Sequence, residues 1–241
     1  MATISDNLQQ VRARIARACE CAGRSPESVT LLAVSKTFGP QAVQEAVAAG
    51  QRSFGENYVQ EGVDKVRHLR EAGVAGLQWH CIGPLQSNKT RPVAEHFDWV
   101  HTVDRLKVAQ RLSEQRPEAL GPLQVCVQVN IDGGANKSGV APDAALALAL
   151  AVSTLPRLQL RGLMTIPEPA ADAGAARAVF DRVRALFDAL GAQLRPQGVR
   201  WDTLSMGMSD DLEAAIASGS TMVRVGSAIF GARHYPGQAG G

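Results

Sequence analysis

The chain has 241 residues, 45% hydrophobic and 20% charged, as expected of a globular domain with a sizeable core. Its 25 Lys and Arg against 23 Asp and Glu leave a formal charge of +2, which gives no electrostatic ground for a nucleic-acid or membrane-surface partner. The polar start, Met1 to Gln10, lacks a secretory h-region, and no apolar run approaches the roughly 20 residues of a membrane span. Cys19, Cys21, Cys81 and Cys126 form no CxxC pair and no zinc-ligand spacing, so a reduced, cytoplasmic chain without a metal site is expected.

An N-terminal helix over about 1–24 is predicted from the stripe Ile4, Leu8, Val11 and Ile15, with Arg12, Arg14 and Arg17 as its wet face. Thr30 to Val34 is the first strand and Pro40 to Ala49 its helix, stopped by Gly50. Ser53 to Glu56 then precedes a helix from Asn57 to Ala72, and Gln78 to Ile82 one from Leu85 to His96. Asp98 to Thr102 is followed by a helix over Asp104 to Gln115. Leu123 to Asn130 has the continuous apolar character of a buried parallel strand, with Ala144 to Thr154 as its helix. Leu158 to Met164 is paired with the long helix Asp172 to Leu190, and Trp201 to Ser205 with Asp211 to Ser218. Met222 to Val225 is the last strand. Strands and helices alternating at roughly 25 residues per unit predict one domain, a (β/α)₈ TIM barrel over about 28–234 behind the extra helix. A doubly wound sheet is disfavoured, because the first turn, Ser35 to Gly39, has no GxGxxG.

In such a barrel, chemistry gathers where the strands end. Reading just past each strand gives Lys36, Glu56 with Asn57, His80 with Gly83, Asn130, Met164 with Thr165, Ser205 with Ser209, and Gly226 with Ser227. Lys36 directly follows an apolar strand, and two readings of it stand. It is a snorkelling lysine with its amine in water, or a partly desolvated one whose neutral amine attacks aldehydes to form a Schiff base. The small-residue turns Ser205 to Asp211 and Val225 to Ser227 follow strands seven and eight, where barrels frequently bind phosphate, and Ser209 is also a candidate N-cap. Arg224 either lines the barrel against a carboxylate or faces a ligand ring nitrogen, which a permanently protonated guanidinium would leave unprotonated.

The runs AVSKTF (33–38), FGENYVQE (54–61), WHCIGPLQSNK (79–89), VNIDGGANKSG (129–139), GLMTI (162–166), LSMGMSDDLEAAI (204–216) and VRVGSAIFG (223–231) resemble the pyridoxal phosphate homeostasis proteins, the YggS/PROSC type. The likeness covers nearly the whole chain in matching order. It implies a barrel like the N-terminal domain of alanine racemase, with pyridoxal phosphate (PLP) held as a Schiff base on Lys36. It further implies phosphate contacts from Ser209, Gly226 and Ser227, Arg224 at the ring nitrogen, and Asn57, His80 and Met206 lining the pocket. Ser227 departs from the threonine expected in many relatives but keeps the hydroxyl. The implied role is control of free PLP, without efficient catalysis and with no catalytic residues. Its implied partners are PLP, free amino acids and PLP-dependent apo-enzymes, and a monomer is expected.

The rival reading is a PLP-dependent racemase of the alanine racemase class. That reaction needs a second acid/base on the far face of the substrate, in that class a tyrosine from a C-terminal β-domain. The chain stops at Gly241, soon after the last barrel segment, so no such domain is expected, and Tyr58 and Tyr235 lie in other contexts. A Schiff-base aldolase would use Lys36 without needing the phosphate turns. Lys89 and Lys137 are read as loop lysines that face water or hold a second, weaker cofactor site.

Overall fold

The computed structural model describes residues 2–134 and 137–231. Eight parallel strands form a closed barrel in sequence order: β1 Thr30–Val34, β2 Ser53–Glu56, β3 Gln78–Cys81, β4 Trp99–Val103, β5 Leu123–Gln128, β6 Leu158–Met164, β7 Thr203–Ser205 and β8 Met222–Val225. β8 returns to β1 with Leu32 opposite Arg224, which closes the sheet without an exposed edge. The helices are α1 Ile4–Cys21, α2 Pro40–Ala48, α3 Val59–Glu71, α4 Thr90–His96, α5 Leu106–Gln115, α6 Ala145–Ser153, α7 Ala173–Leu194, α8 Leu212–Ala217 and the short α9 Ser227–Phe230. The (β/α)₈ expectation is met. Residue 234, its expected end, and Tyr235 lie outside the described residues.

Most boundaries fall where expected, and the departures have local causes. Helix α4 begins at Thr90, not Leu85, because Pro92 fits only in a first turn; Ser87–Lys89 form a 3₁₀ turn before it. Asp98 lies before β4 because its carboxylate accepts the Trp79 N–H at 2.8 Å. β5 stops at Gln128, since Asn130 ties the following loop by donating to the Gly134 carbonyl and accepting from the Gly133 N–H. Asp172 is the cap of α7, its side chain accepting the Ala175 N–H at 2.8 Å.

The period-two alternation of the strands divides the core. Outward residues such as Ala33, Cys81, Val100, Val125, Leu163, Leu204 and Val223 join the helices in one large apolar cluster. The barrel interior holds only two small ones, Leu32 with Val34, Ile82 and Met222, and Trp99 with Cys126 and Met164. Polar side chains fill the rest, including His80, His101, Gln128, Ser205 and Arg224. All four cysteines are free, with Cys19, Cys81 and Cys126 buried.

Helix α1 caps itself through the reciprocal Thr3–Asp6 box and buries Leu8, Val11 and Ile15. Fully burying side chains of this kind contributes roughly 1.5–3 kcal/mol each. Its arginines correct the expectation of a purely wet face. Arg12 donates to the Ala49 carbonyl at 2.9 Å, and Arg14 grips both oxygens of Glu213 in α8 at 2.8 and 2.9 Å. No described helix is long and apolar enough to cross a membrane.

Candidate functional site

A cleft of about 250 Å³ opens at the C-terminal end of the barrel, bordered by Lys36, Asn57, Ser209, Arg224, Gly226 and Ser227. Six of the eight residues expected at a site therefore meet around one space. His80 and Met206 are fully buried and are not among the cleft-lining residues. Ser209 is not the cap of α8: Asp211 occupies that position, its carboxylate accepting the Met208 N–H. The Ser209 hydroxyl instead lies 3.4 Å from that of Ser227.

Arg224 is buried in β8 and held by neutral atoms, without the carboxylate partner of the first reading. It donates to the Ser205 hydroxyl at 2.8 Å and to the Thr165 carbonyl at 2.8 Å, and no described carboxylate pairs with it. Burial pushes its pKa down to about 10, so the guanidinium stays charged at neutral pH. Behind it runs a buried chain in which Ser205 Oγ lies 3.0 Å from His101 Nδ1, and His101 Nε2 lies 3.0 Å from His80 Nδ1. Burial holds His80 down at about 3 and His101 well below its usual range, so both rings are neutral.

Arginine only donates, so Ser205 accepts from it, and the ring tautomers of His101 and His80 set which atom donates at each of the next two contacts. The chain ends at His80 Nε2, which has no partner among the described residues. His80 stacks on Trp99 with ring centroids 5.3 Å apart.

The turn that carries Lys36 is braced from below. Lys65 of α3 is 3% exposed and reaches the Ser35 carbonyl at 2.7 Å, Glu56 at 2.8 Å and Glu61 at 2.6 Å. Ser35 donates its hydroxyl to Glu56 at 2.6 Å, and the Thr37 N–H donates to Glu61 at 2.6 Å. Thr37 has φ 70°, rare for a β-branched residue and costing about 1–3 kcal/mol, so these bonds hold a strained backbone beside Lys36. Burial raises the Glu56 pKa despite Lys65.

Two glycines allow the close approaches around the cleft. A Cβ on Gly83 would sit 2.1 Å from the Asn57 carbonyl oxygen, and one on Gly207, at φ +95°, would sit 2.5 Å from the Ala215 side chain. Sequence reading missed Lys65, His101 and Arg14. Only His101 left a signal: it is two residues from Trp99 on one strand, the parity that faces the interior.

A closed parallel barrel with a lysine after β1 and small-residue turns after β7 and β8 is the architecture of the alanine racemase N-terminal domain, and the model of that family matches residues 7–234. Proteins of Pseudomonas aeruginosa and Escherichia coli, both named pyridoxal phosphate homeostasis protein, are 59% and 57% identical, covering 98% of this chain and 98% and 99% of theirs. The chain belongs to the pyridoxal phosphate homeostasis protein family. The solved structure of PipY from Synechococcus elongatus with PLP bound is 39% identical, covers 95% of this chain and all of its own, and superposes with a TM-score of 0.81. Alanine racemase from Corynebacterium glutamicum, 18% identical with a TM-score of 0.64, shares the fold, and this chain covers 62% of it.

Proposed function

We propose that this chain holds PLP in the Lys36 cleft and serves its homeostasis without efficient turnover of its own. The observation that carries the reading is the cleft's composition: a half-buried lysine facing a charged guanidinium, two hydroxyls and a glycine turn. Its relatives' names and the PLP-bound PipY structure support it. When bound, PLP supplies an aldehyde that reacts with amines and a ring that withdraws electrons. Lys36 would hold the aldehyde as a Schiff base, while the Ser209 and Ser227 hydroxyls and the Gly226 turn would hold the phosphate. Arg224, as a guanidinium that keeps its proton at neutral pH, would leave the ring nitrogen unprotonated, a weaker electron sink than a carboxylate partner would give. His80 acts through His101 and Ser205 to orient Arg224, and Met206 backs the phosphate turn. Free amino acids and apo-enzymes are the partners this reading implies, for a cytoplasmic monomer.

The test is borohydride reduction of the PLP-loaded protein and peptide mapping. The pyridoxyl group is expected on Lys36, and an adduct mainly on Lys89 or Lys137 overturns the assignment. The same preparation, incubated with L- or D-alanine and with amino/keto-acid pairs, is expected to give no more than trace product. Tyr58 is 56% exposed and does not border the cleft, and losing one of two acid/base groups costs about 10²- to 10⁴-fold. Turnover on the order of 10 per second would make the chain an enzyme.

Arg14 is a positioning residue in this reading, since it also donates to the Ser209 carbonyl at 3.0 Å. Arg14→Ala is expected to weaken PLP retention about fivefold, equivalent to about 1 kcal/mol for a half-exposed contact. Equilibrium dialysis measures it, and unchanged retention removes α1 from the site.

A further inference from the structure

Lys36 stands in a four-residue turn, Ser35 to Phe38, closed by the Phe38 N–H donating to the Ser35 carbonyl at 3.1 Å. Thr37 occupies its third position at φ 70°, where such a turn calls for glycine or asparagine. Among the described residues only Thr37 and Arg157 combine a side chain with a positive φ, and only Thr37 has cleft-lining residues as its chain neighbours. A branched side chain in that conformation persists only where its surroundings hold it.

Helix α3 supplies the hold, from two side chains one helical turn apart. Glu61 accepts the Thr37 N–H at 2.6 Å, and Lys65 donates to the Ser35 carbonyl at 2.7 Å. The pair is itself joined at 2.6 Å. A cation thus meets the carbonyl before Lys36 and an anion the amide after it, so both peptide groups flanking the lysine are fixed. One hydrogen bond from an amide to a carboxylate is of the same order as the cost of the left-handed conformation. Losing Glu61 is therefore enough to let the turn relax. Lys36 and Phe38, on either side of Thr37, both border the cleft, whereas Thr37 and Glu61 do not. Relaxation at Thr37 would re-aim the lysine without removing any group from the cleft wall.

We propose that Glu61 is a positioning residue for Lys36: through the Thr37 amide it holds the strained turn that presents the lysine to the cleft. The proposal deepens the reading of the cleft and rests on it for the ligand. Its consequence is selective. A ligand that bonds to Lys36 depends on Glu61, and one that merely fills the cleft does not.

The experiment compares PLP with pyridoxine 5′-phosphate, which keeps the ring and the phosphate but has no aldehyde. Equilibrium dialysis measures both on wild type, Glu61→Ala, Thr37→Gly and the double variant. Glu61→Ala is expected to weaken PLP about tenfold, the loss of one hydrogen bond to a charged group, and to leave pyridoxine 5′-phosphate within about twofold. Adding Thr37→Gly, which adopts the turn without steric cost, is expected to recover most of the loss. Glu61→Gln keeps a neutral acceptor for the Thr37 amide and is expected to lose about threefold, so it carries the test if Glu61→Ala does not fold. No loss for PLP, an equal loss for both ligands, or a loss that Thr37→Gly leaves in place overturns the proposal. Borohydride trapping of the wild type separates this from failure of the cleft reading, which an adduct absent from Lys36 would sink. The hold on the turn is then tested without ligand, by exchange of the Thr37 amide hydrogen, which is expected to be about tenfold faster in Glu61→Ala. An unchanged exchange rate overturns the proposal in that case too.

Discussion

Lys65→Met is expected to lower the unfolding free energy by about 3–5 kcal/mol, the cost of stranding one half of a buried ion pair. Glu56 is 1% exposed and its pairing depends on this ammonium, with Ser35 as its other hydrogen-bond donor. Without Lys65, the Ser35 carbonyl also loses its 2.7 Å donor, and Glu61 loses the partner that steadies it under Thr37. The damage is electrostatic, so it should be reversible by chemistry. Adding Glu56→Gln to Lys65→Met removes the orphan charge and is expected to recover most of the loss. Urea unfolding of the three variants reads both effects from the transition midpoints. If Lys65→Met unfolds at the wild-type midpoint, the network contributes nothing and the Lys36 turn is held by other means.

Removing the phosphate from the ligand is expected to weaken binding by about 10²- to 10³-fold. Hydrogen bonds to a charged group contribute about 1.5 kcal/mol each at the low end of their range, suited to a solvent-open cleft, and two or three are available at the turns after β7 and β8. Competition between pyridoxal and PLP for the purified protein measures the ratio. Ser209→Ala and Ser227→Ala should each weaken PLP while leaving pyridoxal nearly untouched, because only the phosphate meets those hydroxyls. Equal affinity for the two aldehydes would mean that the anion site has been misread.

The barrel and the outline of the cleft were legible for a shared reason. Lys36, Asn57, Ser209 and Ser227 lie where strands hand over to loops, and strand ends can be read from apolar runs alone. What escaped reading depends on pairings across the fold. Lys65 belongs to a polar helix whose burial becomes visible only once Glu56 lies opposite, 9 residues away. Arg14 meets Glu213 across 199 residues, so on its own helix it looks like a solvated charge. His101 and Ser205 sit on β4 and β7, and nothing local says that a closing sheet brings them within 3.0 Å. His80 shows the opposite error. Its position near a strand end was read correctly, yet the inward parity that makes it buried also keeps it beneath the cleft and out of its wall.

The anchoring of Arg224 by neutral atoms couples occupancy to folding. Its hydrogen-bond partners are a hydroxyl and a carbonyl, and Asp211 acts on it by charge without forming an ion pair. An interior cation held this way carries a desolvation penalty, which, on the proposed reading, an electron-rich ligand atom at the guanidinium would relieve. Anything that binds only the native state raises stability with the logarithm of its concentration. On that reading, the fraction of this protein that survives heating would gauge how much ligand surrounds it, and the fold itself would register the ligand's supply.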